Sequence, residues 1–530
     1  MPQGVGSRTN IVRGGIMENS KVLPNIRIRK ITLTNFRNIA YAEVNIPGGK
    51  LDEYTNGESS VLGLYGQNGS GKTSLLLAIK ALKTALCGAE FLFGDFASCI
   101  RSGCKSTRLE FEMSAYNEKG AEFEIFYAFS LSIDESETGI ETRDIDINDS
   151  FEFMGFGKIF SDKGKDKITS LYRPKDRRII VSDELLQFAS VSPEKEKSNK
   201  QVLIDTSEEA CAAVGENAVF GNKTKYEQFT ANCEDNVDKF LYDEKLTAKI
   251  KSTSFIFSPA VLKTLIKGSN KVSYKLILHA LAEYGENYLF VILMDVTATN
   301  NLRVLPMALW FDTGEDGAVG MLYPLSLYEH CKAHEKLFPI LEYGIKKTSQ
   351  VISTIVPGLS IEIEEVGKEI TKDGEKAIVF DLISVRNGTR IPLSYESDGI
   401  RRIMSILSLM IAAYNNPSVT IAIDEMDSGI FEYMLGELLS IMKESAKGQL
   451  IFTSHNLRPL EVLPYKNLLF TTVNPEKRFA KLEGISGNNN LRDSYFRSIV
   501  LGSGKDAFYD ATDTFAIEQA LFNAALPSEE

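Results

Sequence analysis

Long apolar segments are missing from this sequence of 530 residues, and so is a secretion signal. No uninterrupted apolar run reaches the ~18 residues that a membrane-spanning helix needs. The first ten residues also lack the apolar stretch that a secretory signal contains. We therefore expect a cytoplasmic protein without a membrane partner.

Cysteine and positive charge are scarce as well. Six cysteines occur without any C-x-x-C pair, so no disulfide framework is indicated and we expect them in apolar packing. With 59 Lys and Arg against 71 Asp and Glu, the net charge is −12, which argues against a general nucleic-acid coat because phosphate affinity needs clustered basic residues. A local basic groove stays open. Its densest candidate is the stretch from Lys163 to Arg178, and a solvated loop is the alternative interpretation.

The most informative motif that is present is an unbroken G-x-x-x-x-G-K-[ST] sequence, GQNGSGKT, at residues 66–73. Glycines let the backbone come close to an anion, and the N–H groups and the positive end of the following helix then bind phosphate. Lys72 supplies an ammonium for the β and γ phosphates, and the Thr73 hydroxyl is a ligand for Mg²⁺. A predicted strand at Val61–Tyr65 precedes the motif and a predicted helix at 74–86 follows it. The predicted ATP-binding residues of this loop are Gly66, Asn68, Gly69, Ser70, Gly71, Lys72, Thr73 and Ser74.

Two further apolar strands end in side chains that nucleotide hydrolysis needs. The strand predicted at 419–423 is followed by Asp424 and Glu425. Asp424 is placed to hold Mg²⁺ and Glu425 to polarise the attacking water; the alternative is an acidic turn. The strand predicted at 449–453 leads to His455, which we expect beside the γ-phosphate as a donor or sensor, with a structural turn histidine as the alternative. Lys72, Glu425 and His455 are thus the predicted catalytic residues.

A second anion site is predicted where the long apolar helix of residues 400–414 begins. Ser397 and Gly399 precede that helix, and a Ser and a Gly at a helix N-terminus present free N–H groups to an anion. A plain N-cap is the alternative, because Ser and Asp are ordinary capping residues.

In chain order, these features are a phosphate loop, a Ser-x-Gly helix start, an Asp-Glu strand, a short loop and a histidine. The set resembles the head of an ABC-type ATPase, of the branch shared by chromosome-maintenance proteins and the overcoming-lysogenisation-defect (OLD) ATPases. Residues 35–38, NFRN, resemble that branch's N-terminal Asn-Phe-Arg pattern, in which the arginine, here Arg37, approaches the nucleotide. The resemblance implies an α/β fold with a mixed sheet and an antiparallel β subdomain, and ATP and Mg²⁺ as cofactors. It also implies a head-to-tail homodimer, or a larger homo-oligomer, in which Ser397 and Gly399 of one chain complete the ATP site of the other.

The phosphate loop lies near the start of the chain and its predicted partners lie beyond residue 390, so the head is split. We predict a flexible tail at 1–20, the two parts of the head at 21–133 and 359–530, and an insertion at 134–358. The insertion is predicted to be irregular or β at first and then mainly helical.

Residues 326–355 are predicted to form one kinked helix or two shorter ones, since Pro339 interrupts the helical pattern. His330 and His334 would then lie one helical turn apart, as in some zinc sites. No third ligand is evident, so a solvated helical face is the favoured interpretation.

Departures from the general ABC pattern direct the functional prediction. The helix start reads Glu-Ser-Asp-Gly rather than the Leu-Ser-Gly-Gly of transporters, which favours the OLD-like branch. No Gln occurs between Gln67 and Gln187 to mark the usual glutamine loop, and the insertion lacks the heptads of a chromosome-maintenance arm. Many OLD-like proteins carry a C-terminal nuclease with an Asp-x-Asp pair, and none follows His455, so we predict no nuclease in this chain.

Stand-alone ATPases of this kind resemble the ATPase subunits of bacterial anti-phage systems, whose effector is a separate protein. We therefore predict an ATPase that controls a separate nuclease or toxin. A DNA-repair ATPase that clamps duplex DNA is the alternative, and it would need a local basic groove. The energising subunit of a membrane transporter ranks last, because such subunits are usually shorter.

Overall fold

The computed structural model describes residues 24–49, 60–117, 120–134, 177–191, 198–215, 218–233, 236–293, 304–312, 318–370, 374–481, 491–500 and 513–525. The strands of this part of the chain are β1 (Asn25–Phe36), β2 (Ile39–Asn45), β3 (Val61–Tyr65), β4 (Ser106–Asn117), β5 (Gly120–Asp134), β6 (Arg178–Ser190), β7 (Gln201–Asp205), β8 (Leu289–Ile292), β9 (Val304–Asp312), β10 (Ala318–Ser326), β11 (Cys331–His334), β12 (Leu359–Ile370), β13 (Lys376–Arg386), β14 (Thr389–Pro392), β15 (Thr420–Ile423), β16 (Gln449–Thr453), β17 (Leu468–Thr471) and β18 (Phe479–Ala480). The α-helices are α1 (Lys72–Leu86), α2 (Phe93–Phe96), α3 (Glu208–Ala212), α4 (Lys223–Thr230), α5 (Val237–Ile250), α6 (Pro259–Gly268), α7 (Val272–Glu283), α8 (Phe338–Ile355), α9 (Asp398–Asn415), α10 (Glu432–Ser445), α11 (Pro459–Val462), α12 (Leu491–Val500) and α13 (Thr514–Ala525).

A six-stranded sheet in the order β18-β17-β3-β16-β15-β8 forms the centre of the molecule, and its strands are parallel apart from β18. Strands β3, β15 and β16 are wholly buried, as expected for parallel strands covered on both faces. Alternate side chains serve two cores. Leu62 and Leu64 pack in the core that contains α1, and Val61 and Tyr65 in the core that contains α9.

An antiparallel sheet in the order β2-β1-β4-β5-β6-β7 packs its apolar face into the α1 core. The β1–β4 pairing shifts register between Ile28 and Lys30, where the alternation of the sequence also slips. Smaller sheets of β11-β13-β12, with β14 on β13, and of β9–β10 complete the α/β fold. The predicted combination of a mixed sheet and an antiparallel β subdomain is present.

The insertion predicted at 134–358 contributes strands to both large sheets. Strands β6 and β7, in the part predicted to be irregular or β, extend the antiparallel sheet. Strand β8, in the part predicted to be mainly helical, is the edge strand of the central sheet beside β15. Residues 294–303 lie outside the described residues. The division of the chain at residues 134 and 358 stays a prediction, and four strands within that range (β6, β7, β8 and β11) complete sheets whose other strands lie outside it.

The helix predicted over 326–355 is wrong in its first third. Strand β10 ends at Ser326, β11 pairs with β13, and α8 starts only at Phe338. Pro339 lies in the first turn of α8, where its missing N–H would have no helical partner in any case. The proline therefore marks the start of a helix and causes no kink.

The two histidines of this segment do not share a helical face. His334 belongs to β11, while His330 immediately precedes that strand. His330 Nδ1 lies 2.7 Å from Asp381 Oδ1, and His334 Nε2 lies 3.1 Å from Glu375 Oε2. Each ring therefore pairs with its own carboxylate, and no cluster of three or more His, Cys, Asp or Glu in the described ranges could hold a metal.

Three further expectations concern membrane-spanning helices, the burial of the cysteines and the basic stretch from Lys163 to Arg178. No helix within the described residues is long and apolar enough to cross a bilayer. Three cysteines (99, 211 and 331) are buried and the other three half-buried. The basic stretch from Lys163 lies outside the described residues except for Arg177 and Arg178.

A buried carboxylate ties the antiparallel sheet to the segment before α6. Glu184 is 1% exposed and accepts hydrogen bonds from Tyr127 Oη (2.7 Å), Ser254 Oγ (2.5 Å) and the Phe255 N–H (2.7 Å). Burial raises the pKa of Glu184, and these hydrogen bonds lower it in part.

Glu184→Gln is expected to lower the free energy of unfolding by about 1–3 kcal/mol, because the amide has one accepting oxygen where the carboxyl group has two and so cannot accept all of these hydrogen bonds. Urea unfolding measures the loss. Glu437→Gln, at an exposed position of α10, is the control and should unfold like the wild type. Equal stability of the two variants would contradict a structural role for the Glu184 carboxylate.

Candidate functional site

Three neighbouring strands of the central sheet end at the same edge and carry the predicted site residues there. The phosphate loop follows β3, Asp424 and Glu425 follow β15, and His455 follows β16 by two residues. Strand β16 lies between β3 and β15 and is parallel to both, so the three carboxyl ends converge. Residues that lie far apart in sequence, from Gly66 to His455, are thereby brought to one place.

The loop between β3 and α1 has a backbone that only glycine tolerates at critical points. Gly66 has φ 149° and Gly71 φ 104°, in the region that L side chains rarely adopt. A Cβ at Gly66 would also collide with Thr471 Oγ1. The Ser70 hydroxyl bridges Gln67 O, at 2.5 Å, and Thr471 Oγ1, which fixes the loop against β17.

Lys72, the first residue of α1, folds back over the loop that precedes it. Its Nζ donates to Gly66 O at 2.7 Å and to Gln67 O at 3.1 Å. Burial lowers the pKa of Lys72, whereas the negative charges of Asp424 and Glu425 raise it. The ammonium is therefore desolvated and held by carbonyl oxygens that a phosphate can replace.

The predicted metal ligands Thr73 and Asp424 are in contact. Thr73 Oγ1 donates to Asp424 Oδ2 at 3.1 Å and lies 3.3 Å from Oδ1. The Thr453 hydroxyl donates to Asp424 Oδ1 at 2.6 Å, which orients the 4% exposed carboxylate toward the loop. A hydroxyl and a carboxylate are the hard oxygen donors that Mg²⁺ prefers when phosphates and waters supply its other ligands. The pair therefore fits Mg²⁺.

Glu425 has an unusual backbone. Its φ of 46° is in the left-handed region, where a non-glycine residue is strained. Its N–H donates to Thr453 Oγ1 at 2.8 Å, and its carbonyl accepts from the Ser428 N–H at 3.0 Å. The chain thus turns sharply as it leaves β15, and the Glu425 side chain is half-buried.

His455 is exposed at the end of the β16 connection and is positioned by a carboxylate that the sequence prediction missed. Asp427 Oδ2 accepts from the N–H groups of His455 (3.1 Å) and Asn456 (3.0 Å). Asp427 lies in the short loop after Glu425, so its place in the motif was visible, but its hydrogen bonds were not.

Ser397 and Gly399 lie at the start of α9 as predicted, and the geometry within one chain is that of a cap. The exposed Ser397 accepts at Oγ from the Ile400 N–H at 3.4 Å. Gly399 packs against Gly429 of the loop after β15, and a Cβ there would collide with the Gly429 carbonyl oxygen. The helix start and the loop after β15 are therefore one continuous surface.

Arg37 has φ 52°, and its N–H donates to Cys99 O at 2.7 Å. The adjacent Asn38 contacts the phosphate loop directly, since Nδ2 donates to Gly69 O at 2.8 Å. Arg478 in turn donates from Nη2 to Asn38 O at 2.9 Å. Asn38 and Arg478 were missed by sequence reasoning, although Asn38 is the last residue of the NFRN pattern.

The remaining predicted residues of the loop differ in exposure. Asn68 is exposed at the tip of the loop, and Ser74 is buried in the first turn of α1, where its N–H donates to Gly71 O at 3.1 Å. The roles of Arg37, Asn68 and Ser74 toward a nucleotide stay predictions.

Several features occur together at this edge of the molecule: a phosphate loop after β3, an Asp-Glu pair and a histidine at adjacent strand ends, a Ser-x-Gly helix start and a packed antiparallel sheet. They belong to the α/β fold, a mixed sheet with an antiparallel β subdomain, that the sequence predicted for the head of an ABC-type ATPase.

No family model matches the chain, and neither does any curated protein. Among solved structures, the chain is similar to the Smc head domain with a coiled coil and joint from Pyrococcus yayanosii, at 10% identity and TM-score 0.38, covering 89% of this chain and 100% of that one. It is also similar to the SMC head domain from Thermotoga maritima (12%, TM-score 0.31, 86% and 99%) and to the recombination mediator RecF with ATP (12%, TM-score 0.31, 82% and 94%).

Proposed function

We propose that this chain is an ATPase that associates head to tail with a second copy around two ATP molecules and controls a separate effector in anti-phage defence. The contact of Thr73 with Asp424, beside Lys72 and Glu425, carries the ATPase part. These four residues supply a phosphate-binding ammonium, two metal ligands and a base at one strand edge. The OLD-like branch rests on the Glu-Ser-Asp-Gly helix start, and the defence role rests on the resemblance to that branch.

Each group has a separate task in hydrolysis. Lys72 and the N–H groups of the loop bind the triphosphate, and Thr73 and Asp424 would hold Mg²⁺, which neutralises charge developing on the phosphate oxygens. Glu425 accepts a proton from the attacking water. His455, whose main chain is fixed by Asp427, donates to the terminal phosphate.

Exposed aromatic side chains support association through the face that carries Ser397. Tyr395 is 78% exposed just before α9, and Phe431 is 70% exposed two residues after Gly429. Gly429 packs against Gly399, so both rings flank one surface. Large aromatic side chains of this kind supply much of the binding energy when a partner buries them.

The head is proposed to comprise residues 21–133 and 359–530, with residues 134–358 as an insertion between its two parts.

Glu425→Gln is expected to keep ATP affinity within a few-fold and to lower turnover about 10²- to 10⁴-fold, because the amide cannot accept the proton from water. ATP-bound dimers should accumulate, since hydrolysis no longer separates them. Phosphate release and light scattering after gel filtration measure the two effects.

Glu437→Gln is the control and should hydrolyse ATP like the wild type. A Glu425→Gln variant with wild-type turnover would remove Glu425 from the role of base. A second arm adds linear duplex DNA to the wild type: turnover indifferent to DNA agrees with a regulator that awaits a protein partner, and several-fold stimulation would contradict it.

A further inference from the structure

A buried arginine on α9 contacts the end of β15, and it is not among the predicted site residues. Arg402 is 8% exposed, and its Nη2 donates to Asp424 O at 2.9 Å and to Glu425 O at 3.4 Å. Burial lowers the pKa of Arg402, and the negative charges of Asp424 and Glu425 raise it. Burying a guanidinium costs free energy unless hydrogen bonds compensate, and within the described residues its Nε has no partner. Burial of the Arg402 guanidinium therefore costs free energy. Both hydrogen bonds of its Nη2 go to backbone oxygens.

Those two carbonyl groups belong to residues that have left the sheet. The Asp424 N–H still donates to Ile292 O at 2.9 Å, but the Glu425 N–H already turns to the Thr453 hydroxyl. Glu425 is thus held from two sides. Strand β16 binds its N–H through Thr453, and α9 binds its carbonyl through Arg402. Its left-handed backbone, a strained state for glutamate, persists between these two contacts.

The same helix begins with the predicted partner-facing motif. Arg402 lies three residues after Gly399, within one turn of the helix, and α9 is continuous between them. A displacement at the start of α9 therefore moves the Arg402 guanidinium against the carbonyls that fix Glu425.

We propose that Arg402 is a positioning residue that holds the Glu425 backbone in its hydrolytic orientation and couples it to the start of α9. This inference rests on the proposed function, because it assumes that Glu425 acts on water. When Ser397 and Gly399 bind a second copy, Arg402 places the Glu425 of its own chain in the orientation in which it can act on water. Arg402 itself touches neither nucleotide nor water.

The test compares Arg402→Met and Arg402→Lys with Arg27→Met. Arg27 is a matched control: it is also buried, at 0% exposure, and donates to a backbone carbonyl, Gly48 O, at 2.9 Å. Melting temperatures, ATP affinity, kcat and KM are measured for all three variants and the wild type.

Arg402→Met should bind ATP within about threefold of the wild type and lose at least tenfold in kcat, with KM little changed. Arg402→Lys, whose single ammonium reaches one carbonyl at a time, should recover part of kcat. Arg27→Met should lose stability to a similar degree and keep its kcat.

A wild-type kcat in folded Arg402→Met would overturn the proposal. An equal loss of kcat in Arg402→Met and Arg27→Met would overturn it as well. If Arg402→Met does not fold, Arg402→Lys decides: wild-type kcat in that variant contradicts the need for a two-carbonyl contact, and a reduced kcat at unchanged ATP affinity supports it. Absence of turnover in the wild type would instead refute the proposed function, so the two failures are distinguishable.

Discussion

Lys72→Ala should lower ATP affinity about 100-fold or more, since each charge-assisted hydrogen bond to phosphate contributes about 1.5–3 kcal/mol and Lys72 can make two. The ammonium of Lys72 already points into the loop, at 2.7 Å from Gly66 O and 3.1 Å from Gln67 O. These carbonyl contacts are exchanged for phosphate contacts on binding, so no rebuilding of the loop is needed. Titration calorimetry with ATP measures the loss.

Lys80→Ala provides the matched control on the same helix. Lys80 lies two turns further along α1 and pairs with Asp95, with 3.6 Å between Lys80 Nζ and Asp95 Oδ2. It is expected to bind ATP like the wild type. Comparable affinity in both alanine variants would mean that the loop binds no triphosphate through Lys72, and melting curves would show that both variants are folded.

The parts of the fold that the sequence predicted are those with strong local signals. Strands β3 and β16 are continuous apolar runs because both faces of the central sheet are covered. Helix α9 has the apolar period of a packed helix, and the Ser397 cap marks its start. The phosphate loop needs glycine at its left-handed positions, so Gly66 and Gly71 are visible without a structure.

The segments that were missed have weak or misleading local patterns. Strand β8 is four residues long, and only its pairing with β15 distinguishes it from the end of a helix. Cys331–His334 reads equally well as one turn of helix, and its pairing with β13 decides the outcome. Tertiary pairing therefore overrode local preference at both places.

The sequence predicted which candidate side chains follow the strands of the central sheet, but not which residues hold those side chains in place. Asp424 and Glu425 follow an apolar strand, which is a sequence pattern. Thr453 and Arg402 act on them from 29 and 22 residues away through a hydroxyl and a guanidinium. Such roles depend on which elements become neighbours, and a threonine at a strand end or an arginine in a helix carries no distinguishing signal.

Asp424→Asn is expected to lower kcat about 1000-fold while ATP binding in the absence of Mg²⁺ is kept, because the loss of a metal ligand removes several kcal/mol of transition-state stabilisation. The amide has nearly the shape of the carboxylate, and the hydroxyls of Thr73 and Thr453 can rotate to accept from it. The fold should therefore survive. Turnover as a function of Mg²⁺ concentration measures the effect, and the curve should move to higher concentration.

The contrast between the two variants separates binding from metal chemistry. Lys72→Ala should bind ATP at least about 100-fold more weakly with or without Mg²⁺. Asp424→Asn should bind ATP normally in the absence of Mg²⁺ and lose only the Mg²⁺-dependent turnover. Asp243→Asn, on the exposed face of α5, controls for the loss of one negative charge. It should leave the ATP titration and the Mg²⁺ dependence of turnover unchanged. A wild-type Mg²⁺ dependence in Asp424→Asn would exclude this carboxylate as a metal ligand. Its 3.1 Å contact with Thr73 would then serve only to hold α1 against β15.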